Sequence, residues 1–333
     1  MSSHPSELSP GRALAALRGR ILVFGAGGAR GRELVRALLE SGLAPARLEL
    51  FARTAQNLAW RGETLPVAPL PERLPAGELA FLCTPPTVAR VLAVRLAGSG
   101  MRVLDLSGAP GGAESSLALA GMASQGVSSF TDFVRLPLPS VALIAPVLGV
   151  LERAVGLLEV DVFAVVAAAL DGALGIHSLR AELVARGAAA GVPEVTPHAR
   201  VGNLRALGVA FEARMADELR TLLARPELLL DVAALAGDLE RCDHFEVKAH
   251  LCAPLEPEAA RALFSAEKGL IMEPHGEGPV PVTTTGSARI HVGRIRAGSR
   301  GPRSLCFSAA GDQLRAGSSL AALGVAARLA VGA

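Results

Sequence analysis

The chain has 333 residues, 33 basic against 31 acidic, a formal net charge of +2, a 50% hydrophobic content, 3% aromatics and no tyrosine. A near-neutral chain without a block of like charge carries no electrostatic footprint for nucleic acid or an anionic membrane, and so few aromatics leave no stacking platform for bases. The length calls for two domains, or for one doubly wound domain with an insertion. Cys83, Cys242, Cys252 and Cys306 lie far apart without a framework spacing, and read as reduced thiols of a cytoplasmic protein. Met1 to Gly19 is polar, lacks the apolar core of a signal peptide and reads as a flexible tail over residues 1–18.

Arg20-Ile21-Leu22-Val23-Phe24 is a short β-rich run ending in Gly25-Ala26-Gly27-Gly28-Ala29-Arg30-Gly31, and a helical pattern follows through Glu40. Strand, glycine loop and helix open a dinucleotide-binding unit. Leu48–Phe51, Leu79–Cys83 and Val103–Leu106 are further strands, with a helix starting near Pro85-Pro86. Strands alternating with helices imply a parallel sheet to about residue 134. The longest apolar run, Leu136 to Leu151, holds Pro137, Pro139 and Pro146 and is followed by Glu152-Arg153. It falls short of the roughly 20 residues of a membrane span and reads as a buried helix over Val141 to Val155.

Beyond it, Leu157 to Leu170 is a long β-branched and apolar run, and His177 to Ala188 is helical. Phe245, Val247, Ala249 and Leu251 alternate with Glu246, Lys248 and His250, the pattern of a half-buried strand. Glu256–Phe264 is a helix, Ala288–Arg296 and Cys306–Ala309 are strands, and Gly317–Leu329 is a closing helix.

Three stretches in this order resemble the aspartate-semialdehyde dehydrogenase family. They are the Gly25–Gly31 loop, similar to GATGxVG; His291-Val292-Gly293-Arg294-Ile295-Arg296, similar to VGRIR; and Gly311-Asp312-Gln313-Leu314-Arg315-Ala316-Gly317, similar to the segment before the family's last helix. The resemblance implies an α/β fold. A Rossmann-type, doubly wound nucleotide domain would span 19–134, a central α+β dimerisation domain 135–310, and residues 311–333 would return as a helix to the first domain. It also implies NADP as cofactor, with NAD as the alternative, and a homodimer.

Gly25, Gly28 and Gly31 occupy the three glycine positions of the loop, while Gly27 replaces a threonine and Arg30 an apolar residue of the family. Glycines let the backbone approach a pyrophosphate, and the helix N-terminus supplies N–H donors, with Ala29 among the expected cofactor contacts. Arg30 either crowds the loop or adds a phosphate contact. A tight strand-to-helix turn without ligand is the bland alternative. Arg53 and Thr54 resemble the pair that holds the adenosine 2′-phosphate, favouring NADP over NAD, unless Arg53 is an ordinary solvated arginine. The resemblance places Cys83 against the cofactor and Gln313 near the nicotinamide.

The family's chemistry needs a thiolate, a proton-shuttling histidine, a substrate arginine and a phosphate site. Its N-P-N-C-S-T segment aligns with Leu136-Pro137-Leu138-Pro139-Ser140-Val141, which puts Pro139 at the nucleophile; no register gives cysteine. Ser140 has no visible activating base. The family's glutamine falls on Ala168, and Ser107-Gly108-Ala109-Pro110-Gly111-Gly112 lacks the phosphate arginine. His244 lies within one residue of the histidine position, which Asp243 shares, and is either a relic or a polar residue on a strand face. Ala236 and Gly237 stand where the substrate arginine belongs, and Arg241 is displaced towards the histidine. With nucleophile, glutamine and both arginines missing or shifted, the other members of the unit do not restore catalysis. The sequence therefore points to an NADP(H)-binding pseudoenzyme. The alternatives are an oxidoreductase without a covalent step, using His244 or Asp171, and a structural subunit that pairs with an active paralogue.

Cys242-Asp243-His244 followed by His250-Leu251-Cys252 suggests zinc, but ten residues of strand span roughly 33 Å. Zinc needs its ligands within about 2.3 Å of one point, and no metal is expected. The even-numbered face reads as a partly wet interface or the old cleft. Cys83 at a helix N-terminus is a thiol candidate or a small buried apolar residue. Asp171 and His177 flank a glycine-rich turn and suggest a polar pair.

Overall fold

The computed structural model describes residues 10–96, 99–109, 116–122, 133–188 and 199–331. The chain forms two compact units. The first takes Met1–Ala120, Gly126–Pro137 and Ser318–Ala333, and the second Gly121–Gln125 and Leu138–Gly317.

The first unit runs α1 (Pro10–Ala16), β1 (Ile21–Phe24), α2 (Ala29–Glu40), β2 (Leu48–Ala52), β3 (Gln56–Trp60), β4 (Glu63–Pro69), β5 (Leu79–Leu82), α3 (Pro86–Leu96), β6 (Arg102–Asp105), β7 (Ser116–Leu117) and β8 (Phe133–Arg135). Its sheet has the order β3-β4-β2-β1-β5-β6-β8-β7. Every pairing is parallel except the β3–β4 hairpin. All four residues of β1 and of β5 are buried, as central parallel strands covered on both faces require. Of the flexible tail expected over residues 1–18, residues 1–9 lie outside the described residues, and α1 takes Pro10–Ala16. Ala13 and Leu14 of α1, and Leu17 just beyond it, are buried, and α1 packs against the C-terminal helix Ala321–Val331. That helix also meets α2 and β6, and Arg102 donates to the Leu329 carbonyl at 3.0 Å. The expected return of the C-terminal helix to the nucleotide domain is thus observed.

The second unit runs α4 (Pro139–Val155), β9 (Leu157–Val166), α5 (Gly172–Ala188), β10 (Arg205–Ala206), α6 (Val209–Leu223), β11 (Leu229–Ala236), β12 (Cys242–Leu251), α7 (Pro257–Ala266), β13 (Leu270–Met272), α8 (Pro281–Thr284), β14 (Ile290–Ala297) and β15 (Ser304–Asp312). These make a mixed sheet, β10-β11-β9-β12-β15-β14-β13. The apolar run at Leu136–Leu151 becomes α4, buried on nearly every side, with Pro146 inside it. One face of the sheet lies against α4, which contacts β9, β12 and β15. In β12 the odd residues from Asp243 to Leu251 are buried, whereas His244, Glu246, Lys248 and His250 are half-buried or exposed. The even-numbered face is therefore the wetter one.

The apolar run from Leu157 forms β9 to Val166 and then a 3-10 turn over Ala168–Asp171. Further expectations are corrected. The helix expected from His177 begins at Gly172, which leaves His177 exposed while Asp171 pairs with Arg200 instead. The closing helix opens as a π-helical turn over Arg315–Leu320. The VGRIR glycine has a steric reason. A Cβ on Gly293 would lie 2.3 Å from the Glu277 carbonyl oxygen, and the next residue, Arg294, takes φ 49° at a bulge against β15. No helix among the described residues is long and apolar enough to cross a membrane.

Candidate functional site

In the first unit the glycine loop joins β1 to α2. Gly25 has φ 85°, and a Cβ there would lie 2.5 Å from the Cys83 carbonyl oxygen; one on Gly31 would lie 2.1 Å from the Gly25 oxygen. These two glycines let the strand turn sharply and α2 pack closely. The backbone N–H groups of Gly25 and Ala26 both donate to the Phe51 carbonyl, at 2.8 and 2.9 Å. Gly28 is the N-cap of α2 and gives no side-chain cap, so the N–H groups at Ala29 and beyond remain suited to an anion. Arg53 and Thr54 follow β2 and are exposed. At Gly27 the Gln56 amide takes the space a Cβ would need, held by Arg32 Nη2 at 2.6 Å, while Arg32 Nε reaches the Gly27 carbonyl at 2.8 Å.

Arg30 turns inward. Its Nη1 donates to the Leu106 carbonyl at 2.5 Å, just past the end of β6. Burial lowers its pKa, opposed by the neighbouring Cys83 and Asp105. Burial also pushes the Cys83 thiol up to about 12, more than nearby Arg30 pulls it down, with Asp105 adding to the rise. Cys83 therefore has no low-pKa thiol character, whatever its place before α3. Asp105 is raised by burial, against hydrogen bonds from Ser107 and the charges of Arg30 and Arg135. Of the segment expected to lack the phosphate arginine, Pro110, Gly111 and Gly112 lie outside the described residues.

The second unit brings together four segments singled out in the sequence. Pro139 is the first residue of α4 and is buried. Next to it, Ser140 Oγ donates to Asp243 Oδ2 at 2.6 Å. Asp243 Oδ1 accepts from the Ala167 N–H at 2.8 Å and from Gln313 Nε2 at 2.6 Å. Ser140, Asp243, Gln313, Ala167 and Ala168 all have zero exposure. A second buried carboxylate, Glu218, accepts from the Leu138 N–H at 2.7 Å. The N-terminal end of α4 is thus engaged by the unit's own carboxylates, as an anion site at a helix N-terminus favours. Asp243 is pushed up to about 7, by burial first and Asp312 in addition, against its three hydrogen bonds.

His244, the relic candidate, lies on the opposite face of β12 from Asp243, because successive strand side chains alternate. Its Nε2 meets Glu246 Oε1 at 3.1 Å. Arg241 forms an ion pair with the buried Asp312 at 2.9 Å. Asp312 also accepts from the Gly286, Leu314 and Arg315 N–H groups. The residues 311–317 therefore build this buried cluster. Gly317 closes it, since a Cβ there would lie 2.8 Å from the Pro139 carbonyl oxygen. The Ser140–Asp243–Gln313 linkage is not legible in the sequence. Its only trace there is that Asp243 shares the histidine position.

Comparison with known proteins agrees with this architecture. Residues 150–316 match the family model "Semialdehyde dehydrogenase, dimerisation domain". A stretch of 118 residues is 30% identical to aspartate-semialdehyde dehydrogenase of Prochlorococcus marinus, covering 34% of each chain. Another of 129 residues is 30% identical to a USG-1 protein homolog of Azotobacter vinelandii, covering 38% of each. The matched stretches thus span little more than a third of these curated relatives. Among solved structures, a probable aspartate-semialdehyde dehydrogenase of Pseudomonas aeruginosa superposes with a TM-score of 0.83 at 26% identity, over 92% of this chain and 97% of that one. Aspartate semialdehyde dehydrogenase II of Vibrio cholerae, at 17% identity and a TM-score of 0.84 over 94% and 98%, shares the fold. With the family model matched over half its length, this chain belongs to the aspartate-semialdehyde dehydrogenase family.

Proposed function

We propose that the chain is a member of this family without cysteine-dependent dehydrogenase activity, a pseudoenzyme that keeps a nucleotide site for NADP-type rather than NAD-type ligands and assembles as a homodimer. The observation that carries the reading is the buried cluster at the start of α4. The family resemblance puts the nucleophile position at Pro139, beside Ser140, and Ser140 is fully enclosed and already donates to Asp243. A covalent step needs a nucleophile that substrate reaches and a base that accepts its proton. Here the hydroxyl has no exposed surface, and Gln313, which the family resemblance puts near the nicotinamide, is engaged by Asp243 in the same cluster. The exposed Arg53 and Thr54 after β2 support the preference for a 2′-phosphorylated nucleotide. The uncovered, charge-bearing face of the second unit's sheet supports dimerisation.

The test is turnover. Purified protein given aspartate semialdehyde, phosphate and NADP+ is expected to give no reduction of the nucleotide above background. A rate within the range of ordinary enzymes, roughly 1–1000 per second, would sink the reading.

A further inference from the structure

We propose that Arg30 closes the nicotinamide half of the nucleotide crevice, so that the first unit accepts the adenosine 2′-phosphate half of an NADP-type ligand and excludes the complete dinucleotide. The inference rests on the nucleotide reading above and makes it narrower.

In an open parallel sheet the ligand lies outside the carboxyl ends of the strands, where the strand order reverses. Here the order reverses at β1, which has β2 on one side and β5 on the other. The adenosine half belongs past the end of β2, where Arg53 and Thr54 stand exposed. The other half belongs past the ends of β5 and β6, which lead into Cys83 and Leu106. Arg30 starts from the first turn of α2 and spans that second region. Its guanidinium lies near Cys83 and Asp105 and is bonded to the Leu106 carbonyl.

The two halves of the crevice differ in what an entering ligand must displace. Over Gly27 lie Gln56, half-buried, and Arg32, exposed. Surface side chains of this kind swing aside at small cost. Arg30 gives up a hydrogen bond to a backbone carbonyl and its attraction to the buried Asp105, and a buried acceptor left unmade is costly. Its charge also repels the pyridinium ring of an oxidised dinucleotide. The adenosine half has no such obstacle and gains Arg53 as a phosphate partner.

Titration calorimetry of the full chain with adenosine 2′,5′-bisphosphate, NADP+ and NADPH tests this. The wild type is expected to bind the bisphosphate at least about tenfold tighter than either dinucleotide. Arg30→Val is expected to gain at least about tenfold for NADP+ relative to the bisphosphate. Arg53→Ala is expected to weaken the bisphosphate. Arg30→Met, which keeps an unbranched stem, is run beside it, and thermal melts establish that each variant is folded. Wild-type binding of NADP+ as tight as that of the bisphosphate overturns the inference and leaves the nucleotide reading standing. So does unchanged NADP+ affinity in both folded Arg30 variants. No binding of any of the three ligands, by wild type or Arg30 variants at millimolar concentration, overturns both.

Discussion

Asp243 is a carboxyl group whose partners are a hydroxyl, a side-chain amide and one backbone N–H, in a site with no exposed surface. Its pKa of about 7 lies above the ordinary aspartate value near 3.9, so the folded state holds this proton at pH values where the unfolded chain has released it. Between about pH 4 and 7 the native state binds more protons than the unfolded state, and stability falls as pH rises; above about 7 the loss is complete. Asp243→Asn keeps the shape and an acceptor for the Ala167 and Gln313 donors, and removes the ionisation. The expected outcome is a melting temperature that declines less between pH 4 and 7 than the wild type's, with the variant at least as stable at pH 8. Melting curves across that range check it. Equal slopes for the two proteins would mean that Asp243 is ionised in the folded protein at ordinary cost.

At the scale of elements, glycine contacts separate positions that define the packing from those that do not. Gly31 joins α2 to the loop after β1, and a methyl group there meets the Gly25 carbonyl oxygen and the Ala26 backbone. Neither atom is the end of a flexible side chain. Gly31→Ala is expected to lower stability by about 1–3 kcal/mol, the usual cost of overpacking. In α5, a Cβ on Gly187 would meet nothing within 4 Å, and Gly187→Ala is expected to stabilise by up to about 1 kcal/mol through helix propensity. Urea denaturation of both variants checks the opposite signs. Elements carrying their own pattern are legible in the sequence, among them β1, β5, α4 and β12, whose apolar runs or alternation follow directly from burial. The β3–β4 hairpin and β11 are not, because Gln56–Pro69 is broken by polar residues and Leu229–Ala236 alternates without β-branched emphasis. The candidate site is legible as a set of segments but not as contacts. Which of Asp243 and His244 faces Ser140 depends on the phase of β12. Whether Arg30 reaches outward or towards Leu106 depends on a neighbour 76 positions away.

At the scale of the whole molecule, the proposed dimer has to bury the sheet face of the second unit that α4 leaves uncovered. That face bears Phe163 at 40% exposure in the middle of β9, beside Asp161, Asp231, Glu246, Lys248 and Arg296, around a concavity of about 430 Å³. Charges of both signs at one patch suit a two-fold contact, because a surface pairing with its own copy must be complementary to itself. An aromatic ring among them is the expected anchor, since a few large residues carry most of the energy of an interface. A two-fold dimer contains the anchor twice, so a loss of about 2 kcal/mol per copy sums to about 4 kcal/mol, or roughly a thousandfold in the dissociation constant. Phe163→Glu is therefore expected to sediment as a monomer at concentrations where the wild type is a dimer. Val184→Glu, at a more exposed site on α5, is expected to leave the dimer intact. Monomeric wild type at tens of micromolar would remove the dimer from the proposal. A dimeric Phe163→Glu would move the interface to another surface of the second unit.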